Sequence, residues 1–124
     1  MTNKPESVLV IDDDDSVRRV LVAILQREGI PRVEQAANAE EVEGRLKTER
    51  YSIIVVDYHL GGASGVDMLE RLRKNGDRTP VLLISGVPNF SGVVRTALHE
   101  RVDFIGKPFK IDELVAAVER LMTP

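Results

Sequence analysis

Three short stretches of the chain are apolar throughout: Val8-Leu9-Val10-Ile11, Ile53-Ile54-Val55-Val56 and Val81-Leu82-Leu83-Ile84. They are mostly β-branched and show no polar alternation, which suits central parallel strands covered on both faces. Two weaker strand segments, Arg32–Ala36 and Val102–Ile105, are expected nearer the sheet edges. Between these runs the apolar spacing changes to that of helices. Val17, Val20, Leu21, Ile24 and Leu25 form one stripe, which Gly29 ends. Val42 and Leu46 form a thinner second stripe after Asn38, whose spacing to Glu41 is that of a capping box. Val66, Leu69 and Leu72 form a third, with Ser64 and Asp67 at capping spacing and Gly76 beyond its end. Phe90, Val93, Val94, Ala97 and Leu98 make a fourth, and Ile111, Leu114, Val115, Val118, Leu121 and Met122 the fifth and clearest.

The pattern is βα repeated five times, which predicts a parallel sheet with right-handed crossovers and helices on both faces. Five units are too few for a closed eight-unit barrel. The expectation is an α/β, flavodoxin-like, doubly wound five-stranded parallel sheet of order 2-1-3-4-5 with five helices. The three fully apolar runs are the first, third and fourth strands, which that order places in the middle.

Composition narrows the function. The chain has 124 residues, the size of one domain, and 43% apolar residues suffice for a core without staples. Seventeen basic against twenty acidic side chains give a net charge of −3, which disfavours direct nucleic-acid binding. The absence of Cys excludes disulfides, thiolate metal sites and thiol catalysis. Met1 to Glu6 are polar and form no secretory signal, and no apolar run approaches a membrane span. A soluble, cytoplasmic protein is expected, with one domain over residues 1–124, no output domain and no membrane contact.

The polar residues just past the strand ends carry the chemistry. Asp12 and Asp13 come directly after Val8–Ile11, Asp57 after Ile53–Val56 and Ser85 after Val81–Ile84, and Lys107 sits two residues past Val102–Ile105. In an open parallel sheet these positions share the carboxyl edge, where ligands bind at the topological switch point. Three carboxylates there repel by about 4 kcal/mol per pair at about 4 Å and an effective dielectric of roughly 20. One Lys does not compensate three acids, so a divalent cation is inferred. Oxygen ligands without Cys or clustered His favour Mg²⁺ over zinc or copper. Mg²⁺ shares phosphate oxygens readily, and Asp is a covalent phosphoryl acceptor. Asp57, alone at the end of a central strand, is the expected nucleophile, and Asp12 and Asp13 would hold the metal. Lys107 would pair with the carboxylate or the added phosphate, and Ser85 would hydrogen-bond a phosphoryl oxygen.

The stretches Val8-Leu9-Val10-Ile11-Asp12-Asp13-Asp14, Ile54-Val55-Val56-Asp57, Leu83-Ile84-Ser85-Gly86 and Val102-Asp103-Phe104-Ile105-Gly106-Lys107-Pro108-Phe109 resemble response-regulator receivers of two-component signal transduction systems. Receivers have the strand order 2-1-3-4-5, so the expected order and the resemblance are not independent. The resemblance implies that Asp57 takes a phosphoryl group from a sensor histidine kinase or phosphotransfer protein. It implies that Asp12, Asp13, Asp57 and the backbone carbonyl of His59 bind Mg²⁺. It further implies that Ser85 and Phe104 are the switch hydroxyl and switch aromatic, that Lys107 contacts the phosphate, and that the Lys107–Pro108 bond is cis. The partner controlled would be a downstream protein or a fused output domain. The face of the fourth helix, fifth strand and fifth helix would serve a phosphorylation-dependent homodimer. The chain departs from the family at Leu60-Gly61, where Met-Pro is frequent, which implies a freer loop after Asp57. It departs also at Glu100-Arg101, where Gly-Ala is common, and at Lys110, a poor helix cap for which Asp112 is expected to substitute in part.

Plainer roles compete for some residues. Asp14 and Asp15 suit an ordinary solvated helix N-terminus. Plain core packing rivals the switch role for Phe104, since the fifth strand needs apolar residues anyway, and the side chains of His59 and His99 are expected at the surface. Two other functions compete with the receiver. A haloacid-dehalogenase-like phosphatase needs a second Asp two residues after its nucleophile; Asp57 is followed by Tyr58 and His59, while Asp12 and Asp14 have that spacing. A pseudo-receiver that never carries phosphate would lack an acid or the Lys, and all are present.

Overall fold

The computed structural model describes residues 3–60, 63–86 and 99–123. Its elements in chain order are β1 (Ser7–Ile11), α1 (Asp15–Arg27), β2 (Arg32–Ala36), α2 (Ala39–Thr48), β3 (Ile53–Asp57), β4 (His59–Leu60), β5 (Ala63–Ser64), α3 (Gly65–Lys74), β6 (Val81–Ser85), β7 (Val102–Gly106) and α4 (Ile111–Met122). Five strands form one sheet in the order β2-β1-β3-β6-β7, and each of its pairings is parallel. The expected order 2-1-3-4-5 needs correction in its count, because two short strands intervene between the third and fourth long ones. These are β4 and β5, a short antiparallel pair after Asp57 in a stretch where the sequence predicts no strand; Gly61 itself lies outside the described residues. Four helices lie among the described residues rather than five. The stripe Phe90–Leu98, expected as the fourth helix, lies outside the described residues, and α4 is the expected fifth.

Strand side chains alternate between the two faces of the sheet, and two cores result. Leu9, Ile11, Ile54, Val56, Val81 and Leu83 pack with Val42 of α2 and Val66, Leu69 and Leu72 of α3. The intervening Val8, Val10, Ile53, Val55, Leu82 and Ile84 pack with Leu21 and Leu25 of α1 and Leu114, Ala117 and Val118 of α4. β1, β3 and β6 are buried along their whole length, as the four-residue apolar run within each requires, and Ser7, Asp57 and Ser85 are buried at their ends.

Two residues placed on apolar stripes prove exposed. Val20 lies about 100° around the helix from Leu21 and falls off the edge of the α1 stripe. Ile111 lies in the first turn of α4, ahead of the stripe's buried residues, and is also exposed.

Helix ends reflect local chemistry. Asp14 caps α1 by accepting the N–H groups of Ser16 and Val17. At α2 Asn38 accepts the Glu41 N–H, and Glu41 reaches back to the Ala37 N–H, one residue earlier than a capping box requires. Ser64 accepts from Asp67 N–H at the start of α3. Lys110 offers α4 no acceptor; Glu113 accepts the Lys110 N–H and Asp112 the Glu113 N–H. Gly29 and Gly76 take positive φ after α1 and α3, as expected of their stops. Among the described residues no helix is long and apolar enough to cross a membrane.

Candidate functional site

The register of the sheet assembles the acids. Ile11 pairs with Val56, so Asp12 and Asp57 stand side by side at the carboxyl edge of adjacent strands. Asp57 is level with Ile84, and Ile84 with Ile105, two residues before Lys107. Carboxylate oxygens of Asp12, Asp13 and Asp57 lie within 4.8 Å of one another. Asp12 and Asp57 are buried and Asp13 is exposed. Lys107 crosses to them from the far side, its Nζ 2.8 Å from Asp57 Oδ2 and 3.4 Å from Asp12 Oδ2. The Lys107–Pro108 peptide bond is cis, as the resemblance implied.

Backbone donors fix the remaining oxygens. Asp57 Oδ1 accepts the His59 N–H at 3.1 Å, and Asp12 Oδ1 accepts the Asp14 N–H at 2.9 Å, each an Asx turn. Burial, with the charge of Asp57, raises the pKa of Asp12 against the opposing pull of the Asp14 N–H and Lys107. At Lys107 burial pulls the pKa down, but the hydrogen bond to Asp57 and the charges of Asp12 and Asp57 outweigh it and the net shift is upward. Lys107 therefore stands as a cation among three carboxylates.

The site's chemical capacity derives from its donor set. Three carboxylates at this spacing fit a cation that takes oxygen ligands at about 2.0–2.6 Å, and neither Cys nor a His side chain is present to favour a softer metal.

Ser85 is buried at the end of β6, one residue past Ile84, which pairs with Asp57. Its carbonyl accepts the Lys107 N–H at 2.7 Å, so the strand carrying the hydroxyl and the loop carrying the cation are joined. Phe104 is half-buried against the core cluster that contains Leu83. The plain core role expected of it is thus present. His59 is exposed, its ring edge-on to Tyr58 at 4.9 Å.

Two residues that the sequence did not single out also shape the site. A Cβ on Gly65 would lie 2.6 Å from the Asp57 carbonyl oxygen and 2.9 Å from Leu83 Cδ2. Only glycine lets the start of α3 approach this closely, where the Gly65 N–H donates to Tyr58 O at 2.7 Å. A glycine opening a helix directly after its Ser cap is the signal that could have found it. Arg18 of α1 donates to the Asp12 carbonyl at 2.7 Å. No sequence signal points to it, because its partner is a backbone oxygen six residues away.

Comparison with known proteins agrees with this architecture. Residues 8–119 match the family model of the response regulator receiver domain. A putative NtrX-like response regulator of Rickettsia bellii is 34% identical over 116 residues, covering 91% of this chain and 24% of the relative. The uncharacterized transcriptional regulatory protein YkoG of Bacillus subtilis is 32% identical over 111 residues, covering 90% of this chain and 48% of the relative. The chain thus spans less than half the length of these two relatives. Among solved structures, a beryllofluoride-activated NtrC4 receiver domain dimer aligns with a TM-score of 0.83 at 26% identity, over 94% of this chain and 96% of that one. A putative response regulator from Chloroflexus aurantiacus aligns with a TM-score of 0.85 at 27% identity, over 96% and 98%.

Proposed function

The chain belongs to the response-regulator receiver family, and from that premise we propose that Asp57 is its phosphoryl acceptor and that Asp12, Asp13, Asp57 and the backbone carbonyl of His59 hold Mg²⁺. The observation that carries this reading is the Lys107 ammonium 2.8 Å from Asp57, beside three carboxylates gathered within 4.8 Å. When bound, the cation neutralises charge on the phosphoryl oxygens. The rest falls to the chain's own groups.

A carboxylate oxygen of Asp57 attacks phosphorus in the phosphohistidine of a sensor kinase or phosphotransfer protein. The new P–O bond forms as the P–N bond breaks, and the imidazole leaves as neutral histidine after taking up a proton. Lys107 stands within reach of the transferred group and pairs with its charge. The Ser85 hydroxyl donates to a phosphoryl oxygen, and Phe104 moves in response, shifting a two-state equilibrium on the face that meets a downstream partner. Inverting a 1:99 population fully requires about 5.5 kcal/mol of differential stabilisation. The structural likeness to the NtrC4 receiver dimer supports a homodimer as one form of output. The domain catalyses only its own phosphorylation and dephosphorylation, and it acts in the cytoplasm.

A haloacid-dehalogenase-like reading loses its second acid, because Asp14 is committed to capping α1 through the Ser16 and Val17 N–H groups. The test is labelling by a small acyl phosphate with Mg²⁺, read by mass spectrometry. One phosphoryl group is expected on the native chain and none on Asp57→Asn. Full labelling of that variant would move the acceptor elsewhere. No labelling of the native chain would favour a pseudo-receiver.

A further inference from the structure

The side chain of Arg18 is only 13% exposed, although it stands in the first turn of a surface helix. Its three nitrogens reach three different segments. Nη1 donates to the Asp12 carbonyl at 2.7 Å, Nε to Gln35 Oε1 at 2.8 Å and Nη2 to Asp15 Oδ1 at 2.5 Å. The fork therefore ties the end of β1 to the end of β2 and to the first turn of α1. The Asp12 carbonyl belongs to the peptide plane it shares with the Asp13 nitrogen. The Asp12 N–H is held by Ala36 O at 3.2 Å and the Asp12 side chain by the Asp14 N–H, so both ends of this residue are fixed. Among the described residues no hydrogen bond reaches the Asp13 carboxylate. The direction of that exposed carboxylate is thus set by the backbone, and Arg18 clamps the plane from which it departs.

We propose that Arg18 is a positioning residue that holds the Asp12–Asp13 peptide plane and so aims Asp13 into the cation site. The inference rests on the reading of Asp12 and Asp13 as Mg²⁺ ligands. Charge and positioning have opposite signs here, which makes the role separable. A positive charge beside a cation site weakens cation binding, so an Arg18 that acted by charge alone would, on neutralisation, give tighter binding. Loss of a group that orients a metal ligand typically weakens binding by about tenfold or more.

Two variants of the full chain decide between these roles. Arg18→Gln removes the charge and the fork, and Arg18→Lys keeps the charge and removes only the fork. Mg²⁺ affinity is measured by titration calorimetry, with thermal melting in EDTA to verify folding. In the metal-free protein the amide nitrogen resonance of Asp13 and the hydrogen exchange of the Asp14 N–H report on the clamp without any metal. The expected result is weaker Mg²⁺ binding in both variants, about tenfold, with a shifted Asp13 resonance and faster Asp14 exchange. Unchanged affinity in Arg18→Lys with tighter binding in Arg18→Gln would overturn the proposal. So would an Asp13 resonance that both variants leave in place. Failure of the native chain to bind Mg²⁺ would instead overturn the metal reading, and the metal-free resonances would still decide whether the clamp exists.

Discussion

Substituting Asp13 with Asn should stabilise the protein without metal and make it insensitive to Mg²⁺. The Asp13 carboxylate has oxygens within 4.8 Å of those of both Asp12 and Asp57, and Lys107 bonds the latter two. Each like-charged pair at that distance repels by about 3 kcal/mol at an effective dielectric of roughly 20 and by about 1 kcal/mol in water. Asp13 is exposed, so the watery figure applies to each of its two pairs. Screening by salt trims their sum further, leaving about 1–2 kcal/mol of relief. In a domain of this size that corresponds to a rise in Tm of roughly 3–8 °C. Mg²⁺ reverses the order: at a concentration about 100 times its Kd it stabilises the native chain by about 2.7 kcal/mol and the variant by far less. The assay is paired thermal melting of the two proteins in EDTA and in millimolar Mg²⁺. A variant that melts below the native chain in EDTA would refute the repulsion argument. Equal stabilisation of both by Mg²⁺ would remove Asp13 from the site.

Single contacts lead to other expected outcomes. Gly65→Ala puts a methyl group against the Asp57 carbonyl and Leu83, and urea denaturation should show a loss of about 2–3 kcal/mol; a loss below half of that would mean α3 shifts freely. Arg101 holds a φ of +58°, and Arg101→Gly should raise the urea midpoint by the equivalent of about 1 kcal/mol, whereas a lower midpoint would show the side chain to matter more than the strain. Burial, then the hydrogen bond to Glu34 and its charge, push the Tyr51 phenol up from 10.0 to about 12. A phenol with a raised folded pKa contributes stability that is complete below pH 10 and is lost as pH rises through 12. The difference in phenolate absorbance between the native chain and Tyr51→Phe should show a midpoint near 12, and one near 10 would contradict it.

The sequence by itself determined the alternation of strands and helices, because an unbroken apolar run and a 3.6-residue stripe are signatures of burial that need no neighbours to be read. It determined the gathering of Asp12, Asp13, Asp57 and Lys107 as well, since residues at the ends of parallel strands must share one edge. Capping pairs such as Ser64 with Asp67 were equally legible, being local. Only the tertiary structure decided which acid Lys107 meets at 2.8 Å and that Val20 lies outside its stripe. It alone exposed the hairpin after Asp57, the glycine that lets α3 touch the Asp57 backbone, and the fork of Arg18 on a carbonyl. The physical reason is common to these. Periodicity reports how each residue meets water, whereas a close approach or a bond to a backbone oxygen depends on where two distant segments stop relative to each other.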